Sequence, residues 1–311
     1  MQSKAAIESK LAELKRQFGE WTYDIPLPHG IWTKGNLNVP HTRLKRIVQI
    51  VNDLCSKPLA ACRILDLGCL DGLFSIEFAS HGAETIGIEI REANVRKAQF
   101  CKDVLELNKL KFVQDDVRNI SLDGLGKFDA IICSGILYHL PARDVFKLVE
   151  TMFQMTTEVL IVDTRITTQP LEKFHYNGFD YWGRHADEHR SHETQEQKAK
   201  KLLASWDNNQ SFYLTRPSLA NLLARSGFSS VYECFVPPHI NYGKAGIECE
   251  TRCTFVAIKK SRTELVASPA ANQVQEGWPE NSLSYPPDAD RKSWLPFRKM
   301  IGRIKSNFRS V

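Results

Sequence analysis

The 311 residues are 42% hydrophobic and 25% charged, the balance of a folded globular protein rather than of a disordered chain. The longest apolar stretches, residues 130–133 and 159–162, are far shorter than the ~20 residues needed to cross a bilayer, and residues 1–16 lack the apolar run of a secretory signal, so a cytoplasmic location is expected. Seven of the 41 Lys and Arg lie in residues 291–311, where there is no acid; the rest of the chain is nearly neutral and offers no evident basic face for a long nucleic acid.

Residues 5–18 place Ile7, Leu11, Leu14 and Phe18 at helical spacing, which predicts a short charged helix packed on the domain. Residues 21–38 are rich in aromatics, Pro and Gly and predict an ordered but irregular lid. A second helix is expected over 42–54. From Arg63 short apolar runs alternate with amphipathic stretches: RILDL, 74–81, ETIGIEI, 93–107, KFVQD, FDAIICS, 142–155 and EVLIVDT. Strand and helix in turn predict an α/β fold whose mostly parallel sheet carries helices on both faces.

Residues 171–210 are polar and His-rich, break the alternation, and predict an insertion that covers the site. A helix over 216–226 then leads through Gly227 to VYECFVPP and CTFVAIKK, two β-rich runs that predict an antiparallel hairpin closing the sheet. The expected organisation is N-terminal helices and lid over 1–55, a main domain over 56–260, a flexible linker over 261–290 and a tail over 291–311. In the tail, Trp294, Phe297, Ile301, Ile304 and Phe308 recur at helical steps among basic residues. Such a basic amphipathic helix suits an anionic membrane, RNA, or docking on a protein surface, its own domain included.

The chemistry concentrates in RILDLGCLDGLFSIEFA, where a strand ends near Asp66, turns through Gly68-Cys69-Leu70-Asp71-Gly72 and enters a helix. Glycine permits close approach of the backbone to a ligand, and the N–H groups opening the helix favour a carboxylate or phosphate. The dinucleotide fingerprint needs glycine where this turn has Leu70 and Leu73, so a pyrophosphate turn is excluded. The turn resembles motif I of the class I S-adenosylmethionine (SAM)-dependent methyltransferases, and the resemblance spans residues 63–260. It implies a Rossmann-like sheet, SAM as cofactor, and Asp66, Gly68, Cys69 and Gly72 at the methionine end.

The same resemblance places Glu89, at the end of ETIGIEI, on the ribose hydroxyls, and Asp116 on the adenine amino group, with Asp115 the lesser candidate and a turn cap the bland alternative. Ser134 and Gly135 turn the chain beneath the sulfonium, followed by Tyr138 and His139. Tyr138 is a candidate for packing against the methionine or sulfonium. His139 is the candidate proton acceptor, or else an ordering residue of the loop. Asp163, at the end of EVLIVDT, is a candidate for acceptor binding, or else a cap. Within the family, the L-Y-H element and the FYLTRPS stretch at 212–218 look most like the branch containing the tRNA wobble-uridine carboxymethyltransferase.

The remaining polar clusters are weaker. His185, His189 and His192 lie in the insertion, the first two on one face only if that stretch is helical. Their neighbours Arg184, Asp187, Glu188, Arg190 and Glu193 look like a solvated surface, and a proton acceptor there is favoured over a metal ligand. The eight cysteines contain no C-x-x-C pair, and Cys249 and Cys253 are read as packing, so no metal site is expected. The leading acceptor is a small metabolite, a natural product or a sugar, methylated at oxygen or nitrogen. RNA gripped with help from the tail is the second reading, and a noncatalytic SAM-binding regulator the third.

Overall fold

Residues 2–35, 42–234 and 252–260 are described by the computed structural model; the linker over 261–290, the basic tail and Cys249 lie outside them. Helix α1 (Lys4–Phe18) buries Ile7, Leu11 and Leu14. Two short strands, β1 (Pro26–Leu27) and β2 (Ile31–Trp32), pair antiparallel, and helix α2 (Thr42–Leu54) follows. The main alternation runs β3 (Arg63–Leu67), α3 (Leu73–Ser80), β4 (Glu84–Glu89), α4 (Glu92–Val104), β5 (Leu110–Gln114), α5 (Leu122–Leu125), β6 (Phe128–Ser134), α6 (Ala142–Met155) and β7 (Thr156–Arg165). Strands β8 (Glu172–Tyr176) and β9 (Phe179–Asp187), helix α7 (Gln195–Ala199), β10 (Gln210–Leu214), α8 (Arg216–Arg225), β11 (Ser230–Glu233) and β12 (Arg252–Ile258) complete the described elements.

Seven strands form the central sheet in the order β11-β12-β7-β6-β3-β4-β5. The five from β3 to β7 are mutually parallel, and β12 and β11 add antiparallel at one edge. Strands such as β6 are buried almost end to end, which explains the unbroken apolar run of residues 130–133 within it: both faces of a parallel sheet are covered. Along β7, Leu160 and Val162 face one layer, containing α6 and α8, while Val159 and Ile161 face the other, containing α1 to α4. Strand β3 has β4 on one side and β6 on the other, so the crossovers leave it in opposite directions. In open α/β sheets this switch opens a crevice at the carboxyl ends of the strands.

The structure differs from two expectations. Residues 21–35 do more than cover the site: Trp21, Ile25, Leu27 and Ile31 are buried in the layer of α1 and α2, and Thr22 and Tyr23 reach the cavity. The insertion is a three-stranded antiparallel sheet ordered β10-β9-β8. His185 therefore sits on strand β9, paired with Phe212, and shares no helical face with His189.

Candidate active site

The glycine-bearing turn owes its shape to three left-handed residues, Gly68 at φ 65°, Leu70 at φ 51° and Gly72 at φ 92°. Cys69 N–H donates to the Ile88 carbonyl at 3.0 Å, tying the turn to β4. The glycines serve packing as well as conformation. A Cβ on Gly68 would stand 2.3 Å from Ile136 Cγ1, and one on Gly72 would stand 2.7 Å from Phe112 Cζ. They bring the turn down onto neighbouring side chains, a packing role beside the ligand approach expected of them. Asp66 lies beneath the turn, accepts from Ser75 Oγ at 2.6 Å, and is pushed up to about 7 by burial.

One cavity of about 480 Å³ lies over these strand ends, within the usual range for small-molecule sites. Gly68, Glu89, Asp116, Ser134, Tyr138 and His139 all line it, so the structure gathers six expected residues from five separate segments. Asp66, Cys69, Gly72 and Asp163 do not line it and support it from behind. Glu89 is 3% exposed, and its two oxygens accept from Leu70 N–H at 3.1 Å and Arg91 N–H at 2.8 Å. A carboxylate has about four acceptor positions, which leaves one on each oxygen for a ligand diol. Burial raises the Glu89 carboxyl against the pull of the Arg91 N–H.

Ser134 Oγ is buried without a hydrogen-bond partner among the described residues. A buried unpaired hydroxyl is costly unless something arrives to satisfy it, and this one borders the cavity. Asp116 is more committed. Its carboxylate caps the short turn at Val117–Asn119 by accepting from Arg118 N–H at 2.9 Å, and it holds the Arg118 guanidinium at 2.5 Å. Arg118 also meets Asp207 of the insertion at 2.7 Å. The bland reading of Asp116 as a cap is thus present in the geometry, alongside its place on the cavity wall.

The other half of the cavity is assembled over long distances. Asp163 is 1% exposed and accepts from Arg252 Nε at 2.7 Å and Thr254 Oγ1 at 2.7 Å, with Arg43 at 3.4 Å. Burial pushes its carboxyl up, but the Arg252 and Arg43 charges overcome that and hold it below the ordinary value. It is an anchor for arginines that line the cavity rather than a group open to it. Arg252 donates to Tyr138 OH at 3.3 Å and stands 5.6 Å from the Tyr138 ring centroid, with Arg165 at 5.5 Å. His139 Nδ1 meets Glu188 Oε1 at 2.8 Å.

The sequence reading missed several contributors. Glu188 stands in sequence among residues that suggest a solvated surface, yet its side chain is 8% exposed. Asp71, within the turn itself, accepts from the backbone N–H groups of Thr22 and Tyr23 and draws the N-terminal segment to the site. Arg91 donates to the carbonyls of Lys201 at 3.0 Å and Ala204 at 2.8 Å, fastening the insertion over the cavity. Its position next to Glu89 was the one available signal. The FYLTRPS stretch divides its roles: Tyr213 lines the cavity, while Thr215 caps α8 by accepting from Ser218 N–H at 3.3 Å. Among the described residues, no group of three or more His, Cys, Asp or Glu is arranged to hold a metal ion, and no helix is long and apolar enough to cross a membrane.

Residues 59–207 match the model of a family described as a methyltransferase domain, which spans the glycine turn, Glu89, Asp116 and the Ser134 to His139 wall. Those residues carry a methyltransferase domain. Curated relatives of this chain include the mitochondrial ubiquinone biosynthesis O-methyltransferase of Bos taurus, 28% identical over 122 residues, which are 39% of this chain and 32% of that protein. The ubiquinone biosynthesis O-methyltransferase of Albidiferax ferrireducens is 28% identical over 116 residues, 37% of this chain and 45% of that one. The matches thus span about a third to a half of these relatives' lengths. The N-terminal domain of EvdMO1, solved with SAH bound, shares the fold at a TM-score of 0.62 and 21% identity, over 84% of this chain and 98% of that chain. S-adenosylmethionine is the cofactor of the family.

Proposed function

We propose that this methyltransferase moves the methyl group of SAM to an oxygen or nitrogen of a small molecule. The observation that carries the reading is the single cavity that joins the glycine turn and Glu89 to the Ser134, Tyr138 and His139 wall beneath residues 202–208 of the insertion. A space of about 480 Å³ roofed in this way suits a cofactor and a compact acceptor better than a folded polymer.

When bound, SAM supplies a methyl on a positively charged sulfur that is already a good leaving group. The chain therefore has mainly to align the partners, which can contribute several kcal/mol and up to about 7 to 11 in favourable cases. Glu89 accepts the ribose hydroxyls with its two spare lone-pair positions, and Asp116 stands on the wall where the adenine amino group would be received. Gly68 and Ser134 border the methionine end, Ser134 Oγ gaining the partner it lacks among the described residues. Tyr138 is held by Arg252 beside the reacting centre, and His139 is placed to receive a proton. Asp163 acts through Arg252 and Arg43 and touches neither partner.

The test uses SAM labelled in the methyl group, the purified chain, and two pools from a cell extract, one of small molecules and one of RNA. Label in the small-molecule pool is expected. Label in RNA alone would overturn the acceptor class, and SAM binding without transfer to either pool would overturn the catalytic reading. Calorimetry with SAM and SAH reports cofactor binding independently.

A further inference from the structure

His139 and Glu188 form a buried polar pair in the cavity wall. Their sequence positions are 49 apart, and the fold closes the gap from both sides. On one side, Gly135 N–H donates to the Asp163 carbonyl at 2.8 Å, and His139 N–H to the Ile136 carbonyl at 2.9 Å, so the Leu137–His139 turn is fixed to the sheet. On the other, Glu188 N–H donates to the Asn209 carbonyl at 2.8 Å. Glu188 Oε2 accepts from Ser205 N–H at 3.0 Å, leaving Oε1 for His139. The His139 and Glu188 side chains are 14% and 8% exposed. Phe212 N–H donates to the Leu140 carbonyl at 2.9 Å, binding the insertion sheet to the same turn.

An imidazole whose Nδ1–H donates to a carboxylate presents Nε2 as an acceptor, because the neutral ring carries one proton. His139 lines the cavity, and among the described residues nothing hydrogen-bonds to Nε2. The Tyr138 ring lies 4.2 Å from the His139 ring, centroid to centroid, and limits its rotation. Burial would raise the Glu188 carboxyl, yet the His139 contact lowers it below the ordinary value, keeping it the charged acceptor of that bond.

We infer that Glu188 is a positioning residue that holds His139 in the Nδ1–H tautomer, with Nε2 as the base for an acceptor whose reacting group is a hydroxyl. The inference rests on the methyltransferase reading above and narrows it. In the step, the hydroxyl proton passes to Nε2 and the freed oxygen pair forms the O–CH₃ bond. The S–CH₃ pair returns to sulfur, and the imidazolium beside Glu188 later gives its proton to water. A carboxylate acceptor brings no proton to remove, and a neutral amine attacks through its own lone pair, so neither needs this pair. An alcohol does.

The decisive experiment is nitrogen NMR of the full chain carrying ¹⁵N-labelled histidine, with SAH added, at a pH where the ring is neutral. His139→Gln identifies the His139 signals by their loss. The expected spectrum shows a protonated Nδ1 and an unprotonated Nε2. Glu188→Gln, whose side-chain amide can donate to Nδ1, is expected to move His139 toward the Nε2–H form. A wild-type ring protonated at Nε2, or no change in Glu188→Gln, overturns the inference while leaving the methyltransferase reading intact, since SAH calorimetry on the wild-type chain tests that separately. With the acceptor found by methyl labelling, Glu188→Gln and His139→Gln are expected to lower kcat about 100-fold or more, with a smaller change in KM for SAM. Transfer to an amine or carboxylate with kcat unaffected by either change also overturns it.

Discussion

The two halves of the cavity are built by different means. On the cofactor side, Leu70 and Arg91 reach Glu89 across 19 and 2 residues of sequence, and the contacts are made by backbone N–H groups. On the acceptor side, His139 meets Glu188 across 49 residues, Asp163 meets Arg252 across 89, and Arg46 meets Thr254 across 208 at 2.8 Å. Those contacts join side chains. Backbone geometry imposed by a turn tolerates change in most neighbouring side chains, whereas a network of buried charges fails when one member is lost. In the proposed reading the first half takes the cofactor and the second the methyl acceptor.

The sharpest break in this comparison comes from Asp163. Replacing it with Ala strands Arg252 beside a buried void and is expected to cost about 3 to 5 kcal/mol of stability, measured by denaturant unfolding. The wild-type contribution is present above the ordinary carboxyl range near pH 4 and is lost as pH falls through the lowered native value. A loss under about 1 kcal/mol would mean that the arginine network is not anchored there.

Glu89→Ala is the corresponding break on the cofactor side. Removing two charge-assisted contacts to the ribose is expected to cost about 3 kcal/mol of SAM affinity, more than 100-fold by calorimetry. Unchanged affinity would remove Glu89 from the ribose.

Asp66→Asn tests the layer beneath the turn with the opposite sign. The native carboxyl titrates near 7, so the stability it contributes is complete below its unfolded value near pH 4 and is lost as pH rises toward 7. Asn keeps an acceptor for Ser75 and has no charge to bury. The variant is expected to gain on wild type by roughly 2 to 4 kcal/mol between pH 4 and 7, read from melting at several pH values. A constant difference across that range would contradict the buried, proton-holding carboxyl. The smallest effect is expected from deleting residues 291–311, which should leave SAM affinity unaltered; a loss would place the tail in the binding domain.

The sheet was readable because its central strands β3, β4, β6 and β7 are short runs, largely apolar, whose burial on both faces demands that composition, and because glycines mark the turns between them. Helix α6 was expected over the same residues it occupies, since its apolar positions follow one face. The insertion was not readable as a sheet. Its strands β8 and β9 are half-exposed, so the alternation that identifies a strand is diluted by polar residues on both faces. Asp116 and Asp163 were placed at the right strand ends, but their occupation by arginines depends on chain segments far away in sequence.

What the amino-acid order decided by itself was the parallel α/β sheet and the proposed cofactor half of the site, because a left-handed glycine turn and a carboxylate at the next strand's end are local chemistry written within about 25 residues of each other. What only tertiary structure decided was the proposed acceptor half. The orientation of His139 and the lowered carboxyls of Glu188 and Asp163 follow from which partners the fold brings within 3 Å and from how much water it removes around them. Neither quantity has a signature in sequence spacing.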